Sequence, residues 1–249
     1  MEHYTAMIAD VADSRKLAPE AREALQLRLV REIDELNRQF ADALIKPIAF
    51  SAGDEIQSLF RGPEAAILCC RQLILLLGDT PIRAGFGVGG WEVRVADAGT
   101  TAQDGTAYHR AREAIEAAEQ YGESVLIRSG DNPTDAAVNA LLGAALRICA
   151  GRRGSRVQQE AARALERACP LQADGVPACR AAAAVPIPNE ADGFFIRSGI
   201  ARGMPIRLAA LLKVSPQSAR GTLKAAGVYE ERNLTIAALG LLHDRRERT

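Results

Sequence analysis

The chain has 249 residues, 48% of them hydrophobic and 25% charged, with acidic and basic groups in equal number. That balance belongs to a folded chain with room for one large or two small domains, and it excludes a chain disordered throughout. No apolar run approaches the roughly 20 residues that a membrane-spanning helix needs, and no basic-then-apolar leader opens the sequence, so a cytoplasmic protein is expected.

In chain order, residues 4–9 predict a strand that ends at Asp10. Pro19 and Glu20 open a helix whose Leu25, Leu29, Ile33, Leu36 and Phe40 recur at spacings of three and four. Residues 47–51 and 56–61 read as a hairpin around the turn 52–55. Pro63 suits the first turn of the next helix, 65–77, which is apolar on most of its surface and therefore expected to be buried. A glycine-bearing strand over 82–88 comes next, then a second strand over 91–96, a helix over 107–121 and a closing strand over 124–128. This order fits an α+β, ferredoxin-like split βαβ core, an antiparallel-rich sheet with helices on one face.

Two Ala/Arg-rich helices, 136–149 and 157–168, follow. A Pro- and Ala-rich connector spans 170–195, and helical periodicity returns at Ile196. The expected division is 1–130 for the α+β domain, 131–195 for helical linker and connector, and 196–249 for an all-α (winged) helix-turn-helix domain. Residues 197–249 hold ten Lys/Arg against four Asp/Glu, an asymmetry suited to a chain whose one end meets a polyanion. The five cysteines, Cys69, Cys70, Cys149, Cys169 and Cys179, match no zinc spacing. They are expected to be reduced and mostly buried.

Two loops carry the chemistry of the first part. One runs from Ala9 to Arg15, directly after the first strand; the other is Gly53-Asp54-Glu55 at the hairpin tip. In a split βαβ sheet the first strand lies beside that hairpin, so Asp10 and Asp54 converge. Mg²⁺ or Mn²⁺ takes oxygen ligands, commonly one or two carboxylates plus a substrate's phosphates. Two such ions can activate a hydroxyl and stabilise a leaving pyrophosphate. The turn after the strand can offer backbone N–H groups to phosphate, with Ser14 and Arg15 in reach. Either loop alone reads better as a cap or a turn; together, on this strand order, they point to a site. The run Gly85 to Gly90 lacks the Lys and Ser/Thr of a phosphate loop and reads as close backbone packing.

The segments Ile8-Ala9-Asp10-Val11-Ala12-Asp13-Ser14-Arg15, Gly53-Asp54-Glu55-Ile56-Gln57-Ser58-Leu59-Phe60 and Asp104-Gly105-Thr106-Ala107-Tyr108-His109-Arg110-Ala111-Arg112-Glu113-Ala114 resemble the SatD family. The first two also resemble class III nucleotidyl cyclases and GGDEF diguanylate cyclases. The resemblance implies that Asp10 and Asp54 bind metal, with the Val11 carbonyl facing it, and that Glu55 matches the acidic residue after the GGDEF aspartate. It implies a nucleotide ligand, with Val11, Asp13, Ser14, Arg15, Gly53 and His109 as the candidate binding set. His109 stands where the cyclases carry a transition-state Asn, Glu113 where they carry Arg, and Phe50 where they carry a purine-selecting Lys. Arg110 and Arg112 lie nearby, and Glu55 and Arg112 are the candidate catalytic groups. A Glu opposes the developing phosphoryl charge that an Arg stabilises, so binding is favoured over turnover.

The segment Arg207 to Gly227 has the layout of a helix-turn-helix. Ala209 and Leu212 face inward, Val214 fills the turn, Ser215 caps and Pro216 starts the second helix, and Gly227 ends it. Gln217, Ser218, Arg220 and Lys224 are the candidate DNA-binding residues. Gln217 and Arg220 suit base edges, and Lys224, with the Arg245, Arg246 and Arg248 tail, suits phosphates. The same shape also serves as a packing or dimerisation module. Together these readings describe a homodimeric, nucleotide-responsive regulator that binds double-stranded DNA. The alternatives are an active metal-dependent cyclase or nucleotidyltransferase, and a plain repressor whose cyclase-like domain is vestigial.

Overall fold

The computed structural model describes residues 3–168, 170–171 and 204–248. The expected connector, the helical start at Ile196, Cys169 and Cys179 fall almost wholly outside these residues.

Five strands form one sheet: β1 (Tyr4–Val11), β2 (Leu44–Ala52), β3 (Glu55–Phe60), β4 (Ile82–Gly89) and β5 (Val125–Arg128), in the order β2-β3-β1-β4-β5. β1 is central and antiparallel to both β3 and β4, β2 and β3 form the hairpin, and β4 and β5 run parallel. β1 and β2 therefore point the same way with β3 between them, and β3 and β4 do so with β1 between them. The connections are α1 (Pro19–Gln39) and α2 (Pro63–Leu77), which gives two interlocked split βαβ units.

Strand alternation sorts the core. Met7, Ala9 and Val11 join Leu29, Ile33 and Leu36 of α1 and the apolar residues of α2 on one face. Ala6, Ile8 and Leu59 meet Ala107, Ala111 and Ile115 of α3 (Thr106–Tyr121) on the other. Helices thus cover both faces rather than the one expected, because the parallel step from β4 to β5 needs a crossover helix of its own. α3 lies close on the strand because β4 offers glycines: a side-chain carbon at Gly87 runs into the backbone of Ala107 and Ala111. The glycine run is therefore a seat for a helix, as its composition suggested.

The strand expected at 91–96 does not form. Its ladder is reduced to one bridge, Val93 to Asp104, because β1 and β5 already flank β4 and leave no edge for a returning strand. The segment is instead a loop held by Lys46, whose ammonium donates to the carbonyls of Val95 (3.1 Å), Ala96 (2.8 Å) and Ala98 (3.0 Å). Gln103 supports it from inside with bonds to Val95, Ala98 and Gly99.

The remaining helices are α4 (Asn132–Gly151), α5 (Arg156–Ala168), α6 (Met204–Leu212), α7 (Pro216–Ala225) and α8 (Val228–Arg248). α8 lies along α4, and α6 and α7 lean on α5. Leu208, Leu223, Leu239 and Leu242 belong to the same hydrophobic cluster as α2. Buried charges stitch these layers. Arg71 of α2 donates to Glu231 of α8 through two nitrogens (2.6 and 3.0 Å) and pairs with Glu166 of α5 at 2.9 Å, which Arg232 also meets at 3.0 Å. Burial pushes the Glu231 carboxyl up, but Arg71, helped by Arg152 and Arg232, holds it below its ordinary value. Cys69, Cys70 and Cys149 are buried. Among the described residues no helix is long and apolar enough to cross a membrane.

Candidate functional site

β1 ends at Val11, and Asp13, in the left-handed region at φ 61°, turns the chain into a short 3-10 turn, Ser14–Lys16, ahead of α1. The hairpin tip reaches back to this loop. The Asp54 Oδ2 accepts from the Val11 N–H at 3.1 Å, and Gln26 of α1 donates to the Gly53 carbonyl at 2.8 Å. Loop, helix and hairpin enclose an open cleft of about 560 Å³, lined among others by Ser14, Arg15, Arg22, Gln26, Gly53 and Asp54. The structure so brings together Ser14, Arg15, Gly53 and Asp54, and Val11 through its backbone. Asp13 turns outward to Lys16 at 2.8 Å and shapes the turn.

Arg22 and Gln26 were not anticipated. Arg22 donates to the carbonyls of Arg15 (3.1 Å) and Leu17 (3.4 Å), which ties the loop to α1. Their signal in the sequence was positional: both lie within two turns of the helix start at Pro19.

Asp10 and Glu55 project to the α3 face. Asp10 meets Arg83 of β4, its direct cross-strand partner, with both oxygens at 3.1 Å, and Arg83 also reaches Glu119 of α3 at 2.8 Å. Burial raises the Asp10 carboxyl; Arg83 opposes this, while the charges of Asp54 and Glu119 add to it. Glu55 accepts from Arg112 of α3 at 2.6 and 2.9 Å, from Ser51 at 2.6 Å and from Gln57 at 3.2 Å. Arg112 is the main reason that its carboxyl is lowered to about 2, with Ser51 and Gln57 assisting against burial. Glu55 and Arg112 thus come together, but as partners of each other.

His109 is not brought to the cleft. α3 runs back along β4 with its first turn against Gly87 and Gly89, the end of the strand away from Arg83. There His109, 67% exposed, meets Asp104 at 3.1 Å. Glu113 pairs with Arg128 at 3.0 Å.

Asp10 and Asp54 are close enough to influence each other, yet both Asp10 oxygens are engaged by Arg83 and one Asp54 oxygen by the Val11 N–H. Among the described residues no group of three or more His, Cys, Asp or Glu is placed to hold a metal ion. The arrangement does not fit an ion bridging the two aspartates.

In the C-terminal part, the Ser215 hydroxyl accepts from the Ser218 N–H at 3.1 Å and Pro216 opens α7. Ala219 and Leu223 are buried, and Gln217, Ser218, Arg220 and Lys224 are exposed. Val214 does not fill the turn. Lys213, at φ 54°, ends α6, and Val214 stands 42% exposed.

The sheet and its helices define an α+β protein with a five-stranded mixed sheet. Over residues 4–162 the sequence matches the SatD family, and the chain belongs to that family. No curated protein matches significantly. Among solved structures, a bacterial light-regulated adenylyl cyclase is similar at 15% identity over 50% of this chain and 74% of its own, with a TM-score of 0.39. The adenylyl cyclase CyaB from P. aeruginosa is similar at 17% identity over 50% of this chain and 76% of its own, with a TM-score of 0.34.

Proposed function

We propose that this SatD-family chain is a nucleotide-binding regulator that passes the state of its cleft to a DNA-contacting helix, α7. The observation that carries the reading is the cleft between the β1–α1 loop and the hairpin. It offers Arg15, Arg22 and Ser14 to phosphate and Gln26 and Asp54 to the rest of a polar ligand. Binding rather than turnover is favoured, because Arg112 is held by Glu55 and Glu113 by Arg128. Arg112 is thus engaged, and Glu113 is a carboxylate that opposes developing phosphoryl charge. The reading does not require a divalent cation on Asp10.

On the output side, α7 carries Gln217 and Arg220 for base edges and Lys224 for phosphate on its exposed surface. Helix-turn-helix proteins read paired half-sites as dimers, so this reading takes a homodimer on double-stranded DNA. The Arg71–Glu231 bond ties α2, beside the sheet, to α8, which follows α7 directly. Coupling then requires the nucleotide to bind one placement of these helices better than another.

Anisotropy with labelled duplex DNA tests this. Binding at about 50 mM salt should weaken steeply as salt rises, and Lys224→Ala should lower the salt slope by about 1. The right nucleotide should shift the affinity at least about fivefold. An absence of DNA binding at low salt contradicts the output half, and DNA binding indifferent to every nucleotide favours a plain repressor.

A further inference from the structure

The bond between Asp10 and Arg83 is built into the sheet. The two residues are opposite each other in the β1–β4 register, so their side chains leave the same face side by side. The guanidinium spans the carboxylate with two parallel bonds of 3.1 Å, and its remaining nitrogen is held at 2.8 Å by Glu119 from α3. The side chains are only 17% and 26% exposed, so this is not a loose surface contact. Arginine keeps its charge at any ordinary pH and its fork matches a carboxylate. A hard divalent cation needs the same oxygen lone pairs.

We propose that Arg83 is the resident counter-cation of Asp10 and excludes divalent metal from it. Metal and guanidinium compete for the same two oxygens, and Glu119 anchors the arginine in the winning position. Asp54 does not share this fate, since its one engaged oxygen faces a backbone N–H. Arg83 holds Asp10 whether or not a nucleotide enters the cleft.

Mn²⁺ alone, without nucleotide, is the probe. Free Mn²⁺ is followed by electron paramagnetic resonance during titration of the full chain, its Arg83→Met variant and the Arg83→Met/Asp10→Asn double variant. Arg83→Met should bind at least about tenfold more tightly than wild type, and the double variant should lose the gain. Equal affinity in wild type and Arg83→Met, or a gain that survives Asp10→Asn, overturns the proposal. A second measurement needs no variant: the Arg83 Nε–H resonance of wild type should stay in place as Mg²⁺ is raised to millimolar levels. Its loss or displacement at such levels overturns the proposal as well. Nucleotide binding in metal-free buffer is read separately, so failure of the nucleotide reading leaves this result interpretable.

Discussion

Arg112 grips Glu55 at 2.6 and 2.9 Å, and the grip keeps the carboxyl near 2 against an ordinary 4.5. A carboxyl lowered on folding adds stability that is complete above its unfolded value and is lost as pH falls through the folded one. Stability should therefore drop between about pH 4.5 and 2. Arg112→Ala should return Glu55 toward 4.5 in a carboxyl NMR titration, flatten this acid limb and cost about 0.5–1 kcal/mol at neutral pH, since the pair is partly exposed. Asp10 has the opposite sign: its carboxyl is raised, and Arg83 is what opposes the rise. Arg83→Met should raise it further in the same titration. The meeting of the Asp10 strand with the Asp54 hairpin was readable from strand order alone. Arg83 and Arg112 were not readable as partners, because each pairing depends on a register or helix placement between residues far apart in the chain.

Among the elements, β4 and α7 carry the sharpest expectations. A side chain at Gly87 meets the backbone of Ala107 and Ala111, which cannot swing away as a side-chain tip could. Gly87→Ala should cost about 1–3 kcal/mol in denaturant unfolding, and Gly53→Ala should be strained only by its φ of 61°. Ser215→Ala removes the cap bond to Ser218 and should cost about 1 kcal/mol, with a matching loss of helix signal in circular dichroism. The period of three and four placed α1 and the Ser-Pro pair placed α7 with little error, because local chemistry sets those starts. The expectation of an extra strand at 91–96 failed because alternation cannot tell whether a sheet edge remains open, and helices cover both faces because the parallel β4–β5 step brings α3 onto the second one. The loop that replaces that strand hangs on Lys46, nearly 50 residues earlier in the chain.

At the scale of the whole molecule, the described helices α6 to α8 share a core with α2 and the sheet, and buried Arg71, Glu166, Glu231 and Arg232 bind them together. Composition could mark the C-terminal segment as basic and helical, but not that Glu231 faces an arginine in the largely apolar α2. Removing Glu231 leaves Arg71 buried with Glu166 as its one remaining carboxylate in this network. Glu231→Ala should cost about 3–5 kcal/mol in chemical denaturation, with sheet and helix signals lost in one transition. Two separated transitions would show instead that the helices fold apart from the sheet.

Thermal unfolding of the full chain with a nucleotide panel tests whether the cleft beside Asp54 holds a nucleotide. Wild type is compared with Asp54→Asn, which keeps an oxygen for the Val11 N–H and removes only the charge. A ligand at about 100 times its Kd should add about 2.7 kcal/mol, a rise of a few degrees in Tm. One nucleotide class should give this rise in wild type and a different one in Asp54→Asn. No rise with any nucleotide, or a rise identical in both proteins and in Arg22→Ala, contradicts it.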